Sequence, residues 1–272
     1  MSNITIDPIA QFEDERRQTI ASYKNDEEWR KISGQWLDRA FQHKYMYNFV
    51  WMGRPIIQLP ADIVAFQEIV WKVKPDLIIE TGIAHGGSLI LSASMLALLD
   101  YCDAVECGGT LDPKKTRRRV VGIDIDIRDH NRKAIESHPL SGSIDMIEGS
   151  SIAKETIDKV KKASVGFSRI LVCLDSNHTH DHVLAELEAY APLVSKGSYC
   201  IVFDTLVEDL PGGTFPDRPW GPGNNPKTAV HAFLQGKNKK DADEQTLHFE
   251  IDNDFEEKLL LNVTPEGFLR RM

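Results

Sequence analysis

Five short apolar runs in this chain each end on a carboxylate: Asp76-Leu-Ile-Ile-Glu80, Val120-Val-Gly-Ile-Asp124, Ile144-Asp-Met-Ile-Glu148, Arg169-Ile-Leu-Val-Cys-Leu-Asp175 and Ser198-Tyr-Cys-Ile-Val-Phe-Asp204. Helix-like stretches alternate with them, at Asp62–Lys72, Ser88–Leu99, Asp129–Ser137, Ala153–Lys162 and His182–Ala191. Near-continuous apolar strands are buried on both faces, and a helix between successive strands is the crossover that parallel pairing needs. The pattern therefore predicts an α/β fold, a mostly parallel sheet with helices on both faces. In such a sheet the loops at the carboxyl ends of the strands carry the ligand.

The flanks differ. Residues 1–55 are charged, aromatic and helix-prone, with Trp29, Ile32, Trp36, Leu37 and Ala40 recurring at steps of three and four. They read as an N-terminal helical extension that packs on the core, meets a second subunit or closes over a site; residues 56–272 form the main domain. Asn48–Pro55 reads as a connecting segment broken by Gly-Arg-Pro. After Asp204 a long Gly/Pro loop runs to Pro226, then a helix over Thr228–Leu234. Strands are expected at His248–Ile251 and Leu259–Val263, followed by a turn at Thr264–Gly267.

The first strand leads into Glu80-Thr-Gly82-Ile-Ala84-His-Gly86-Gly87-Ser88. Glycines admit positive φ and close approach of backbone to a ligand, and the following helix offers its free N–H groups. Ala84 stands where a dinucleotide fingerprint would place its middle glycine. Glu80, two residues before Gly82, suits a ligand with a cationic group, and the amino-acid portion of S-adenosylmethionine fits. Asp124, ending the second strand, can accept both hydroxyls of a ribose, while Asp126 reads as a cap for the next helix. Ser150 and Ser151 either meet an adenine edge or cap the helix after them.

Asp175 and Asp204 end two later strands at the same rim, where like charges are costly unless a cation lies between them. Hard oxygen ligands suit Mg²⁺ or another divalent cation. Between them, His178, His180, Asp181 and His182 follow Asp175 closely. His178 is the candidate for proton abstraction, His182 is a second catalytic candidate, and His180 reads as structural.

A net charge of -9 gives no electrostatic reason to bind a phosphate backbone. Four cysteines without a Cys-x-x-Cys pair point to a reducing compartment, expected to be cytoplasmic. The first five residues show no signal peptide, and no apolar run approaches the roughly 18 residues of a membrane span. Lys114–Arg119 reads as a solvated basic loop. The extension makes a homo-oligomer the expectation.

Trp51-x-Gly-Arg-Pro-Ile-Ile-Gln-Leu-Pro60, the Pro75–Ser88 stretch, Val121-Gly-Ile-Asp-Ile-Asp126, Leu174-Asp-Ser-Asn-His-Thr-His-Asp-His-Val183 and Gly197–Thr205 together resemble the family named after cephalosporin hydroxylase, which includes rhamnosyl and macrolide-sugar O-methyltransferases. The resemblance implies a Rossmann-like class I methyltransferase fold with a seven-stranded sheet, S-adenosylmethionine and Mg²⁺. Together with the reading of the loops above, cofactor contacts are expected at Glu80, Gly82, Ala84, Gly86, Ser88, Asp124, Ser150, Ser151 and Asp175. The spacing of Glu80, Gly82, Gly86 and Ser88 is similar to that in catechol O-methyltransferases. There the acids matching Asp175 and Asp204 hold the metal, and a basic residue matching His178 removes the proton. Two departures stand out. Catechol enzymes use lysine where His178 stands, and the usual Asn or acid beside the second aspartate is replaced by Phe203 and Thr205. Thr205 is the third metal ligand by position, with Glu208 and Asp209 as alternatives from the loop.

The expected reaction is transfer of a methyl group to a hydroxyl of a small polar acceptor, a sugar first and a catechol-like phenol second. Two rivals remain: an iron-dependent hydroxylase using Asp175, His178 and His182, and a non-catalytic binding protein on the same fold.

Overall fold

The computed structural model describes residues 7–236 and 246–272. The extension is α1 (Pro8–Tyr23) and α2 (Glu27–Gln42), followed by β1 (Phe49–Trp51) and β2 (Arg54–Ile56). Then come α3 (Pro60–Val73), β3 (Leu77–Thr81), α4 (Gly87–Glu106), β4 (Arg119–Asp124), α5 (Asp129–Glu136) and β5 (Ile144–Glu148). They are followed by α6 (Lys154–Ala163), β6 (Ile170–Leu174), α7 (His180–Tyr190) and β7 (Tyr199–Val202). The chain closes with α8 (Pro226–Gln235), β8 (Phe249–Ile251), α9 (Asn253–Lys258) and β9 (Phe268–Arg271).

Each acid-ended run thus supplies a strand, and these pair in parallel within a seven-stranded sheet of order β5-β4-β3-β6-β7-β9-β8. Only β9 is reversed, antiparallel to β7 and β8. Side chains alternate across the strands. Ile78, Val120, Leu171 and Ile201 join one core with α3, α4 and Ile135 of α5, whereas Leu77, Ile79, Val172 and Val202 join another with α6, α7 and α8. The sheet expected from the sequence, mostly parallel and covered on both faces, is the one that forms.

Several expectations are corrected. Asn48–Pro55 is not a mere connector: β1 and β2 form an antiparallel hairpin, turned by Met52 and Gly53 at positive φ, so residue 55 lies inside a strand. Leu259–Val263 is not a strand. Val263 instead donates its N–H to the Asp62 carboxylate and accepts from Leu206 N. The last strand is β9, which carries Arg270 and Arg271. The basic loop is only partly solvated, since buried Arg118 pairs with Asp100 and Asp103 and Arg119 with Asp145. Among the described residues one helix, α4, is long and apolar enough by composition to cross a membrane, contrary to the sequence reading; half of that stretch is buried, as in a core helix.

Candidate active site

Strands β3 and β6 lie side by side, Thr81 opposite Leu174, and the order of connection reverses between them. The crevice above such a switch point is where α/β sheets bind ligands. Two glycines make it possible. Gly82 has φ +91°, and a Cβ there would lie 2.1 Å from the carbonyl oxygen of Asp175. A Cβ on Gly87 would lie 2.2 Å from the carbonyl oxygen of Pro55, so the hairpin presses against the start of α4.

The loop between these glycines is held on all sides. Asp124 Oδ2 accepts from the amides of Ile83 (2.8 Å) and Ala84 (3.2 Å). The Arg54 guanidinium donates to the His85 carbonyl (2.9 Å) and to Asn131 Oδ1 (3.0 Å), while Asn131 Nδ2 donates to the Ala84 carbonyl (2.8 Å). Ala84, at φ 46°, is thereby kept in a left-handed conformation that a residue with a Cβ seldom adopts.

Beneath it lies Glu80, buried, with Oε2 accepting from Ser92 Oγ at 3.3 Å. Burial pushes its carboxyl up to about 7, against the opposing pull of the nearby Ser88 and Ser92 hydroxyls.

At the chemical end Asp175, His178 and Asp204 each present one donor atom, all within 4.8 Å of one another. His178 Nε2 stands 3.3 Å from Asp204 Oδ2. Asp204 adopts φ 57°, left-handed backbone that aspartate tolerates better than most residues. Burial, and after it the charges of Asp204 and Glu80, hold the Asp175 carboxyl well above its usual range. Among the described residues no lysine or arginine pairs with Asp175 or Asp204. Two carboxylates and an imidazole converging without a fixed counter-charge fit a divalent cation.

Above this floor opens a cavity of about 1020 Å³. Gly82, Ser88, Asp175, His178 and Asp204 line its base, Phe41, Lys44 and Tyr47 one wall, and Pro211–Arg218 with Trp220 another. Phe41 and Phe215 meet edge to face at 5.8 Å, so the extension and the Gly/Pro loop close the cavity together. The Trp220 ring stands edge to face on His178 at 4.7 Å, with Arg218 over it at 5.1 Å. Glu208 Oε2 accepts from Gly223 N at 2.7 Å and from Asn225, and Asp209 pairs with Lys227 at 2.6 Å. These two acids clasp the base of the loop; they do not reach the Asp175–Asp204 cluster.

Ser151 Oγ lies 3.0 Å from His182 Nε2, which also stands 3.3 Å from Ser176 Oγ and 3.6 Å from Glu186 Oε1. His182 is therefore engaged with Ser151, Ser176 and Glu186 and is not part of the Asp175–His178–Asp204 group. Neither Ser150 nor Ser151 caps α6, whose N-cap is Ala153, and Asp126 does not cap α5, whose N-cap is Arg128. His180 bonds Thr228 Oγ1 at 2.8 Å. Thr205 is wholly buried, and its Oγ1 has no partner among the described residues. Sequence reasoning missed the latches Arg54 and Asn131 and the wall from Phe41 to Tyr47. Arg54 stood in the Gly-Arg-Pro breaker, which hid its role.

With the geometry in hand, comparison with known proteins gives one consistent result. The family model described as rhamnosyl O-methyltransferase/CmcI matches residues 43–272. The chain belongs to this family. It is by class an S-adenosylmethionine-dependent O-methyltransferase. Rhamnosyl O-methyltransferases of Mycobacterium bovis and Mycobacterium tuberculosis are 29% identical over 242 residues, covering 84% of this chain and 83% of theirs. Among solved structures, the apo form of CmcI aligns with a TM-score of 0.51 at 15% identity, covering 83% of this chain and 77% of that one. The Mg-SAM form of CmcI aligns with a TM-score of 0.50 at 15% identity and the same coverage. At this identity the likeness speaks for the fold, a Rossmann-like methyltransferase. The helical extension before residue 43 lies outside the family match.

Proposed function

We propose that the family member described here methylates a hydroxyl of a small polar acceptor, in the first instance a sugar, beside a divalent metal held by Asp175 and Asp204. The observation that carries this reading is the convergence of Asp175, His178 and Asp204 within 4.8 Å at the base of a cavity that Gly82 and Ser88 also line. The names of the mycobacterial relatives support the sugar, and the Mg-SAM form of CmcI supports the metal and cofactor.

The loop Gly82–Ser88 receives the cofactor, with Glu80 beneath its amino-acid portion. Asp124 Oδ2 is taken up by the Ile83 and Ala84 amides, but Oδ1 accepts only from Asp126 N at 3.1 Å, and its remaining lone pair is assigned a ribose hydroxyl; Ser150 is assigned the adenine edge, Ser151 being buried against His182. S-adenosylmethionine supplies an electrophilic methyl on a sulfonium. Asp175 and Asp204 would hold a divalent cation such as Mg²⁺, which would supply Lewis acidity toward an acceptor hydroxyl. His178 Nε2 takes the hydroxyl proton, and its edge-to-face contact with Trp220 keeps the ring in place. Trp220 and the 211–218 segment screen the reacting groups from water, and positioning supplies much of the rate.

A second reading makes His178 the third protein ligand, because its donor nitrogen lies within 4.8 Å of a carboxylate oxygen of each aspartate. His178→Gln separates the two. As the base, His178 can be replaced with loss of turnover but little change in Mg²⁺ affinity; as a ligand, its loss weakens Mg²⁺ binding as well. The proposal as a whole is tested by titrating S-adenosylmethionine calorimetrically and assaying methyl transfer over a sugar and catechol panel with Mg²⁺. Failure to bind the cofactor sinks it, and binding without turnover on any acceptor favours a non-catalytic role.

A further inference from the structure

Below the glycine loop the large cavity continues into a small annex of about 10 Å³, room for roughly one heavy atom. Gln58, Ser88 and Asp175 line both spaces, so the two adjoin. Gln58 follows the β1–β2 hairpin and is 5% exposed; Glu80 is 4% exposed. Gln58 Oε1 and Glu80 Oε1 are both buried, both belong to residues lining the annex, and neither finds a hydrogen-bond partner among the described residues.

Buried polar atoms are rarely left without partners, because the desolvation cost is not recovered. Both orphans are acceptors, so the missing group is a donor. A water could donate to each oxygen, but it would do little to favour the charged form of a carboxyl that burial holds near its neutral form, and no described lysine or arginine pairs with Glu80. An ammonium group donates to both oxygens and supplies the charge.

We propose that Gln58 is a cofactor-recognition residue: its Oε1 and that of Glu80 together receive the ammonium group at the amino-acid end of S-adenosylmethionine. This rests on the cofactor reading above and adds a specificity to it. The site selects nucleosides that carry an amino-acid side chain, because without the ammonium both oxygens stay unpaired. The hairpin, which presses Pro55 against Gly87, sets the position from which Gln58 reaches the annex.

The test compares three probes by isothermal titration calorimetry: S-adenosylhomocysteine, decarboxylated S-adenosylmethionine, which keeps the ammonium and lacks the carboxylate, and 5′-methylthioadenosine, which lacks both and is followed by competition at millimolar concentration. Gln58→Leu removes the acceptor at nearly constant volume. It is expected to weaken the first two probes about 10- to 100-fold and to leave 5′-methylthioadenosine unchanged. Gln58→Glu, which keeps an acceptor, is expected to stay within a few-fold of the wild-type protein, and a thermal midpoint for each variant reports on folding. Equal affinities for all probes in Gln58→Leu and wild type overturn the proposal, leaving a water as the occupant of the annex. An equal loss for all three overturns it too, since that reports a distorted loop. Wild-type protein that binds none of the probes sinks the cofactor reading itself.

Discussion

Replacing Asp62 by asparagine should flatten the dependence of stability on pH. Asp62 sits on α3, wholly buried behind the metal-facing rim, where its carboxylate accepts from Val263 N at 3.1 Å and Thr264 Oγ1 at 3.0 Å. Burial outweighs these hydrogen bonds and raises its carboxyl from 3.8 to about 7. The folded chain therefore holds a proton that the unfolded chain has released between those values. Stability contributed by this group is complete below about pH 4 and falls as the pH rises through 7. Between pH 5 and pH 8 a single group with these two values costs about 2.5 kcal/mol of unfolding free energy. The asparagine side chain does not titrate, and any change in its hydrogen bonds is a pH-independent offset. Urea unfolding of wild-type and Asp62→Asn proteins, with chelator present, measures the difference directly. The gap between the two curves should shift by about 2.5 kcal/mol in favour of the variant from pH 5 to pH 8. Parallel curves would refute the argument that burial keeps this carboxyl protonated.

Gly82→Ala should be severe. It combines a φ of +91° with a Cβ 2.1 Å from the Asp175 carbonyl, so a loss of more than about 2 kcal/mol in unfolding free energy and of S-adenosylhomocysteine binding is expected, by melting and calorimetry. Trp220→Ala opens the cavity wall over His178. It should raise the KM for the acceptor while leaving cofactor affinity within a few-fold, and an unchanged KM would remove Trp220 from the acceptor site.

The sheet was legible because burial on both faces forces unbroken apolar runs, and each run closed on a polar residue that the loop side requires. Legibility failed where apolar content and strand pairing part company. Leu259–Val263 is apolar because Leu259, Leu261 and Val263 pack on the core beneath the sheet, not because the segment pairs, while β9 pairs between two strands despite Arg270 and Arg271. Buried Arg271 is accommodated by donating to the Val194 carbonyl, a contact that no local pattern announces. The acids Asp175 and Asp204 followed from their strands. The histidines were harder. His180 and His182 both lie on α7, where residues two apart point in different directions, so one meets Thr228 and the other Ser151. Nothing in their spacing tells which way the helix is turned. Arg54, Asn131 and Gln58 act across large sequence separations, and a single sequence does not reveal which distant loops they latch.

The central claim is that methyl transfer depends on a divalent cation held by Asp175 and Asp204. The most direct measurement is turnover of labelled S-adenosylmethionine by wild-type and Asp204→Ala proteins, each with Mg²⁺ and with excess chelator, beside calorimetric binding of S-adenosylhomocysteine. The account predicts wild-type turnover that chelator abolishes and Mg²⁺ restores, and an Asp204→Ala protein that binds S-adenosylhomocysteine but transfers no methyl group. Undiminished methylation by Asp204→Ala in chelator would contradict it.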